Sequence, residues 1–373
     1  MPDALIVDAV RSPIGKRNGS LAAVRGDELA AHVLNALVGR AGVEPAQVED
    51  VQLGCVTQIG EQGWNVGRMV PLAAGWPVSV CGTSVDRQCG SSLQAAFNAA
   101  AAIRAAQLDL VVAAGVEMMS RVPMGSNGGD LSPALLERFE IVPQGISAEL
   151  IAEEWGLTRE ELDAYAYESH RRALAATDEG RFANEIVPWG DLAADEGPRR
   201  DTSPERLAQL APAFVPDGKV TAGNSSQIVD GAAAVLVASE AKAAALGLEP
   251  RARFVSFGLA GVDPRLMLHG NPQACERALD RAGIGWDDVD VIEVNEAFAS
   301  VVLQFVRDAG LGDRMGDVNP NGGGISLGHP LGATGARVVA TLLNELERRG
   351  GRYGVATMCI GFGQALAAVI ERL

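Results

Sequence analysis

Short apolar runs of strand length alternate with longer helical patterns along most of this chain, and this alternation limits the possible folds more than any other feature. The run Leu108–Ala114 follows the alanine-rich helical stretch Leu93–Ala106, and the run Tyr353–Met358 follows helical Ala336–Arg348. Strands that alternate with helices are typical of βαβ units and a mostly parallel sheet. The sequence therefore predicts an α/β fold.

A glycine-flanked reactive residue precedes the helix in both of these units. Cys89 lies in Asp-Arg-Gln-Cys-Gly-Ser-Ser (86–92), and His329 lies in Gly-His-Pro-Leu-Gly-Ala-Thr-Gly (328–335). The correspondence predicts two similar α/β halves with reactive residues at equivalent helix N-termini. Because the N-terminal end of a helix is electropositive, we expect the pKa of the Cys89 thiol to be lowered.

The segment from about Met119 to Asp230 interrupts the alternation. It contains proline- and glycine-rich sequence, a predicted helix pair (Ala148–Trp155 and Arg159–Thr177) and an acidic, proline-punctuated loop. It is too long for a simple connection, so we interpret it as an insertion that covers one end of the sheet. The predicted units are an N-terminal half (1–118 plus 231–250), an inserted loop domain covering the active site (119–230) and a C-terminal half (251–373).

Composition narrows the class of partner. The 373 residues are 47% apolar, enough for a large core, and the net charge of −16 argues against nucleic acid or an anionic membrane as the main partner. No apolar run approaches the roughly 18–20 residues that span a bilayer, and residues 2–10 have the pattern of a strand rather than a signal peptide. Five cysteines without a Cys-x-x-Cys pair indicate neither a disulfide framework nor a zinc site. We expect a cytoplasmic protein without a metal.

Several polar positions in the sequence fit either a structural role or a ligand-binding role. Asn295 ends the apolar run Val289–Val294, where α/β sheets place ligand groups, although asparagine is also a common helix N-cap. The small-residue loop 221–226 is either a turn or a close approach to a cofactor. Arg199 and Arg200 form either a solvated surface pair or a phosphate contact.

The other histidines carry weaker signals than His329. His32 and His170 lie on amphipathic helical patterns, where a surface role is predicted, and His269 lies in a loop beside Gly270.

Together, four segments resemble the thiolases in their order along essentially the whole chain. They are the Cys89 segment, Asn-Glu-Ala-Phe-Ala (295–299), the His329 segment and Cys-Ile-Gly (359–361). The resemblance implies two α/β halves stacked as α-β-α-β-α layers, with a loop domain inserted in the first half.

The resemblance also implies thioester chemistry. Cys89 would carry the acyl group, His329 would take the proton from Cys89, and Cys359 would be the second acid/base. His329 and a water held by Asn295 would form one oxyanion hole, and the backbone N–H groups of Cys89 and Gly361 would form the other.

Coenzyme A is the implied co-substrate, with acyl-CoA as the other partner and no permanently bound cofactor. Arg199 would face the nucleotide phosphates. The positions implied along the pantetheine tunnel are Phe214, Ala222, Gly223, Ser226, Ala297 and Phe298. Relatives in the family are dimers or tetramers, so a homodimer or homotetramer is expected.

Some positions depart from the family pattern. Phe362 and Ala365 add bulk near the second oxyanion hole, Ser92 replaces a common glycine, Met118 replaces a common asparagine, and Pro143-Gln144-Gly145 replaces the His-Met-Gly of short-chain biosynthetic members. The loss of that methionine, together with the Asp-Arg-Gln-Cys form (86–89) and the run at 116–125, which resemble degradative members, favours a degradative 3-ketoacyl-CoA thiolase, with bulky acyl chains among its possible substrates. The alternatives are an acetyl-CoA acetyltransferase and, in a different class, a non-catalytic CoA- or lipid-binding protein.

Overall fold

The computed structural model describes residues 2–373, and over this range ten strands form one connected sheet. The predicted strands are confirmed, with ends that differ by up to four residues. The strands are β1 (Ala4–Arg11), β2 (Gly15–Lys16), β3 (Asp50–Gly54), β4 (Cys81–Val85), β5 (Leu110–Met118), β6 (Val229–Ser239), β7 (Ala252–Gly261), β8 (Val289–Val294), β9 (Tyr353–Ile360) and β10 (Gln364–Arg372).

Eleven α-helices lie within the same range, and none of them is long and apolar enough to cross a membrane. The four predicted helices are present, with starts up to four residues earlier than predicted and ends within two residues. The helices are α1 (Gly26–Ala41), α2 (Val66–Ala73), α3 (Ser91–Arg104), α4 (Pro133–Leu136), α5 (Gln144–Glu154), α6 (Arg159–Asp178), α7 (Pro204–Ala208), α8 (Glu240–Leu246), α9 (Asn271–Ala282), α10 (Ala299–Asp308) and α11 (Thr334–Arg349).

The strand order shows the predicted duplication directly. The first half runs β4-β3-β5-β6-β1, and the second runs β8-β9-β10-β7. An isolated parallel bridge between Ile292 and Val318 occupies the place in the second half that β4 has in the first. The halves meet where β1 pairs with β7 over three residues, Ala4–Ile6 against Ala252–Phe254.

The prediction of a mostly parallel sheet is wrong. Only β3 with β4, β3 with β5 and β8 with β9 are parallel, and the other six pairings are antiparallel. In the second half the short turn Gly361–Gly363 folds β10 back beside β9, because so short a connection joins only antiparallel neighbours. In the first half, β6 returns antiparallel beside β5 after the long segment 119–228.

Helices α3 and α11 form the central layer. They pack on each other, α3 contacts strands β3 and β5, and α11 contacts strands of both halves. One apolar core surrounds this pair, a second lies under α1 and α2, and a third lies under α9 and α10. The chain is therefore layered α-β-α-β-α, and the two central helices are the two that follow Cys89 and His329.

Between β5 and β6 the chain leaves the sheet and forms α4 to α7. Thr158 caps α6 by accepting from the N–H of Glu161, whose carboxylate accepts the Thr158 N–H in return. Helices α5 and α6 pack on α10 of the second half. The inserted segment thus contacts the half of the chain that does not contain it in sequence.

Candidate active site

Cys89 lies in a tight turn between β4 and α3. The preceding residue, Gln88, has a φ of +45°, in the left-handed region that costs energy for a residue with a side chain. Gly90 permits the turn to press against the second half, since a Cβ there would lie 2.5 Å from Cδ1 of Ile360. The Cys89 side chain is buried. The turn thus points a nucleophilic atom at the junction of the two halves.

Cys359 and Gly361 reach the same place from the end of β9. The backbone N–H groups of Gly361 and of Cys89 itself are close enough to the Cys89 sulfur to favour its thiolate. Cys359 is fully buried, and burial, followed by repulsion from Cys89 when that residue is a thiolate, raises the pKa of its thiol. The structure therefore brings two thiols and two backbone donors together.

The expectation of a lowered Cys89 pKa is wrong. Burial raises the pKa of the thiol to about 12, and the two backbone N–H groups offset only part of this. Desolvation outweighs the helix terminus because the whole side chain is removed from water. At neutral pH Cys89 is a thiol, so it needs a base to become a nucleophile.

His329 has the protonation state of such a base. Its Nδ1 lies 2.6 Å from Oγ1 of Thr334, and that hydroxyl donates its one proton to the carbonyl of Pro330. Oγ1 can therefore only accept from Nδ1–H, which leaves Nε2 without a proton and with its lone pair as an acceptor. Burial, followed by the charge of Arg337, lowers the pKa of His329 to about 3, so the ring is neutral. Thr334 carried no signal in the sequence beyond its place in the glycine-rich segment.

The loop that carries His329 is embedded in the first half. A Cβ on Gly54 or Gly115 would lie within 2.8 Å of the carbonyl oxygen of Gly332. A Cβ on Gly335 would lie 2.2 Å from the backbone nitrogen of Leu93, in the first turn of α3. Ser92, one of the departures from the family pattern, accepts the N–H of Ala336 at 2.9 Å. The segment that carries His329 is thus held against the helix that begins just after Cys89.

Asn295 lies beside the imidazole ring of His329. Its Nδ2 lies 3.3 Å from Nε2 of His329, and its Oδ1 is buried without a partner in residues 2–373. The next residue, Glu296, anchors the segment by accepting from Tyr165, Ser169, Asn319 and the N–H of Ile325. An amide donor is therefore fixed beside the base by a buried carboxylate.

Sequence reasoning missed a second buried carboxylate, Glu117. It accepts from the backbone N–H groups of Val56, Thr57 and Gly332 at 2.9–3.0 Å, and burial raises its pKa. It ties the His329 loop to the end of β3. It lies three residues beyond the predicted apolar run Leu108–Ala114, and that position gave no sign of this role.

The candidate coenzyme A residues lie around two adjoining cavities. Arg199, Ala222 and Gly223 line a cavity of about 240 Å³. Arg199, Ala222 and Ser226 line another of about 630 Å³. Phe214 and Phe298 pack edge to face with ring centroids 5.9 Å apart, and the N–H of Ser226 donates to the carbonyl of Ala297. The seven predicted residues therefore form a connected region of the structure.

Two predictions for the inserted segment have different outcomes. Arg200 is an exposed surface residue paired with Asp178. The surface role predicted for His170 is wrong, because its ring is 4% exposed and lines the 240 Å³ cavity. The helical periodicity placed His170 outside because it does not show that the loop at 197–203 packs over that face of α6.

The structure shows the surroundings of three positions that lie in departures from the family pattern. Phe362 has a φ of +62° and is half-exposed, whereas Ala365 is buried against Gly270. Gly145 adjoins Phe214, since a Cβ there would lie 2.1 Å from that ring. Gly145, which matches the glycine of the family's His-Met-Gly, therefore packs closely on this aromatic ring.

Comparison with known proteins identifies the family. Residues 4–241 match the thiolase N-terminal domain, and residues 248–372 match the thiolase C-terminal domain. The chain belongs to the thiolase family. It is an acyltransferase, and the fold and enzyme class predicted from the sequence are confirmed.

Relatives of this thiolase differ in the substrates that their names state. It is 46% identical to a beta-ketoadipyl-CoA thiolase of Acinetobacter baylyi, with all of both chains covered. It is also 46% identical to a steroid 3-ketoacyl-CoA thiolase of Mycobacterium tuberculosis, covering all of this chain and 95% of that one. The solved acetyl-CoA acetyltransferase of Bacillus anthracis superposes with a TM-score of 0.92 at 40% identity, covering 100% and 99% of the two chains. These relatives share the thiolase class, and the acyl substrates that their names state differ.

The low pKa of His329 predicts a loss of stability in acid. The unfolded chain protonates this histidine near pH 6.5, whereas the folded protein keeps it neutral to about pH 3. The unfolded state binds more protons in that window, so the free energy of unfolding falls as the pH drops, by up to about 1.4 kcal/mol per pH unit for this group. Urea unfolding at pH 7 and pH 5 should show a smaller pH dependence in His329→Asn than in the unchanged protein. Equal dependence would contradict the low pKa.

Proposed function

We propose that this protein is a degradative 3-ketoacyl-CoA thiolase, which cleaves 3-ketoacyl-CoA with coenzyme A to give acetyl-CoA and a shortened acyl-CoA. The observation that carries the proposal is that Cys89, Cys359 and the Gly361 N–H come together, while the segment that carries the neutral His329 contacts the first turn of the helix after Cys89. A thiol whose pKa is about 12 needs that base, and a second buried thiol supplies a proton to the other product.

The proposed first half-reaction forms an acyl-enzyme. The proton of Cys89 passes to Nε2 of His329 as the sulfur attacks the 3-keto carbon. The backbone N–H groups of Cys89 and Gly361 stabilise the oxyanion. The bond between C2 and C3 then breaks, and the electron pair goes to C2 of the departing acetyl-CoA. Cys359 donates its proton to that carbon and becomes a thiolate, while the shortened acyl group stays on Cys89 as a thioester.

The proposed second half-reaction returns every group to its starting state. The Cys359 thiolate takes the proton of incoming coenzyme A, whose sulfur attacks the thioester carbon. The Cys89 sulfur leaves and receives the proton held by His329. One thioester is exchanged for another, so no oxidant, metal or other cofactor enters the balance. Among residues 2–373, no group of three or more His, Cys, Asp or Glu side chains could hold a metal ion.

Coenzyme A is proposed to lie along the inserted segment, with Arg199 toward its phosphates and Phe214, Phe298 and Ser226 toward its pantetheine. The cations Lys16, Arg17 and Arg206 also line the two cavities. A local cluster of cations holds a phosphate in spite of the net charge of −16. We further propose that segment 119–230 is a loop domain that covers the site.

The decisive experiment is a coenzyme A-dependent cleavage assay that follows the loss of enolate absorbance with C4, long-chain and bulky 3-ketoacyl-CoA substrates. Faster cleavage of the longer or bulkier substrates is expected. Activity confined to C4 would reassign the protein as an acetyl-CoA acetyltransferase. No activity on any substrate would favour a non-catalytic coenzyme A-binding protein.

We also propose that two copies pair through β4. This strand lies at the edge of the sheet and is partly exposed, and such an edge offers unpaired backbone groups to another strand. Beside it lie exposed apolar side chains, with Trp64 89% and Val78 81% exposed and Met69 and Leu72 less so. An exposed apolar patch next to an open edge is typical of a twofold subunit interface.

The assembly has a direct test. Trp64→Glu combined with Val78→Lys is expected to convert a dimer or tetramer to smaller species in light scattering coupled to gel filtration. Leu136→Glu, at another exposed apolar residue, is the matched control and should leave the mass unchanged. An unchanged mass in the double variant, or a monomeric native protein, would refute this interface.

The free cysteines support a reducing location. All five cysteines are unpaired, including both proposed catalytic thiols. Thiols stay reduced in the cytoplasm, and the proposed chemistry requires reduced thiols at Cys89 and Cys359. We therefore propose a cytoplasmic enzyme, which fractionation of the cells that produce it would test.

A further inference from the structure

His170 occupies an unusual position for a histidine on a helix. It lies on α6, its ring is 4% exposed, and it lines the 240 Å³ cavity together with Arg199, Ala222 and Gly223. The proposed catalytic steps do not use it. A ring nitrogen that faces a cavity is available to bond to a molecule bound there.

The Nδ1 atom has a partner that fixes the tautomer. The backbone N–H of Arg199 donates to it at 3.1 Å. A backbone N–H can only donate, so Nδ1 carries no proton and the neutral ring has its proton on Nε2. Burial, followed by the charge of Arg199, lowers the pKa of His170 to about 4, while Asp201 opposes the shift. The ring is therefore neutral at pH 7, with Nε2–H as a donor.

The loop that carries Arg199 is also held at its other end. The two protons of Gln227 Nε2 are shared among three carbonyl oxygens, that of Gly197 at 3.1 Å and those of Ile325 and Ser326 at 2.9 and 3.0 Å. A Cβ on Gly197 would lie 2.5 Å from the oxygen of Ser326. The backbone from Gly197 to Arg199 is therefore pinned between the His329 loop and His170. The Arg199 side chain therefore starts from a backbone position that these contacts hold in place.

Nε2 of His170 forms no hydrogen bond within residues 2–373, and it is not among the polar atoms sealed from solvent, so it is open to the cavity that His170 lines. We propose that His170 both positions Arg199 through Nδ1 and donates from Nε2 to an acceptor on the nucleotide part of coenzyme A. The inference rests on the proposed coenzyme A site. Ring nitrogens and phosphate oxygens of the nucleotide share the required acceptor chemistry, and pantetheine without the nucleotide lacks it at that place.

Two near-isosteric variants separate the two roles. In His170→Asn the amide oxygen takes the place of Nδ1, so the Arg199 anchor stays and the donor is lost. In His170→Gln the amide nitrogen takes the place of Nε2, so the donor stays and the anchor is lost. His170→Phe removes both. Direct titration with coenzyme A, with pantetheine and with dephospho-CoA measures binding without turnover.

Each single loss is expected to raise the Kd for coenzyme A about 2- to 12-fold, the value of one hydrogen bond. His170→Phe should raise it by more than either, and the Kd for pantetheine should stay constant in all three. Arg199→Ala should weaken binding less in the His170→Phe background than in the His170→Asn background, because the anchor is already gone. In turnover the loss should fall on KM for coenzyme A more than on kcat.

Other results would overturn the inference. They are an unchanged Kd for coenzyme A in all three variants, an equal loss for pantetheine and coenzyme A, or full additivity with Arg199→Ala in every background. Failure of the proposed function has a different signature. A protein that binds coenzyme A through His170 but cleaves no 3-ketoacyl-CoA would leave this inference standing, whereas a native protein that binds no coenzyme A would end it.

Discussion

Cys89→Ala is expected to lower cleavage of 3-ketoacyl-CoA by about 10⁴-fold or more, because the acyl group then has no atom on which to form the thioester. The backbone N–H groups of residue 89 and Gly361 remain in place, so substrate binding should persist. Initial rates with saturating coenzyme A measure the loss. Mass spectrometry of the native protein after mixing with acyl-CoA should find one acyl group on the peptide that contains Cys89.

Cys275→Ala is the matched control for this experiment. Cys275 is also fully buried, and burial raises its pKa to about 12 as it does for Cys89. It lies in α9, within the outer core of the second half. Its removal should affect stability more than turnover. An acyl group found on a residue other than Cys89, or activity retained by Cys89→Ala, would refute the assignment of the nucleophile.

Cys359→Ala is expected to lower the cleavage rate by about 10²- to 10⁴-fold, the usual contribution of a positioned acid or base. The reason differs from that for Cys89. Without the Cys359 proton, C2 of the departing acetyl-CoA keeps its negative charge. The burial that raises the pKa of this thiol keeps the proton in place until a carbanion develops beside it.

The two thiols are distinguished by the partial reaction that survives. Cys359→Ala should still take up an acyl group on Cys89 from acyl-CoA, since that step forms no carbanion. Quenched-flow labelling compares acylation with carbon–carbon cleavage in the same variant. Acylation and cleavage lost in equal measure would show that Cys359 acts on the Cys89 half of the reaction instead.

The helices could be predicted from the sequence because helical periodicity depends only on residues close together in the chain. The stretch predicted as Ala336–Arg348 is the core of α11, Thr334–Arg349, which has basic residues in its last turn and a left-handed glycine after it. Strand direction was not predictable in the same way. Apolar runs have the same composition in parallel and antiparallel strands, so the antiparallel setting of β6 and β10 depends on the connections.

The candidate site was predictable where residues of distinctive chemistry stand in distinctive segments. Cys89, His329 and Cys359 are such residues. Thr334, Glu117 and His170 are not, since their roles come from partners 5 to 215 positions away in the chain. The sign of the Cys89 pKa shift was missed for a related reason. It depends on the total removal of water around the sulfur, which no short segment encodes.

The contact between Gly332 and the glycines at 54 and 115 has a consequence for how activity is lost. This contact joins positions that are more than two hundred residues apart in the chain. A side chain at residue 54 or 115 would clash with the Gly332 carbonyl oxygen. Neither half can loosen without moving His329, the proposed base, relative to Cys89, the proposed nucleophile. Heat or denaturant should therefore inactivate the enzyme in step with its cooperative unfolding, and a partly folded chain with one intact half would have no turnover.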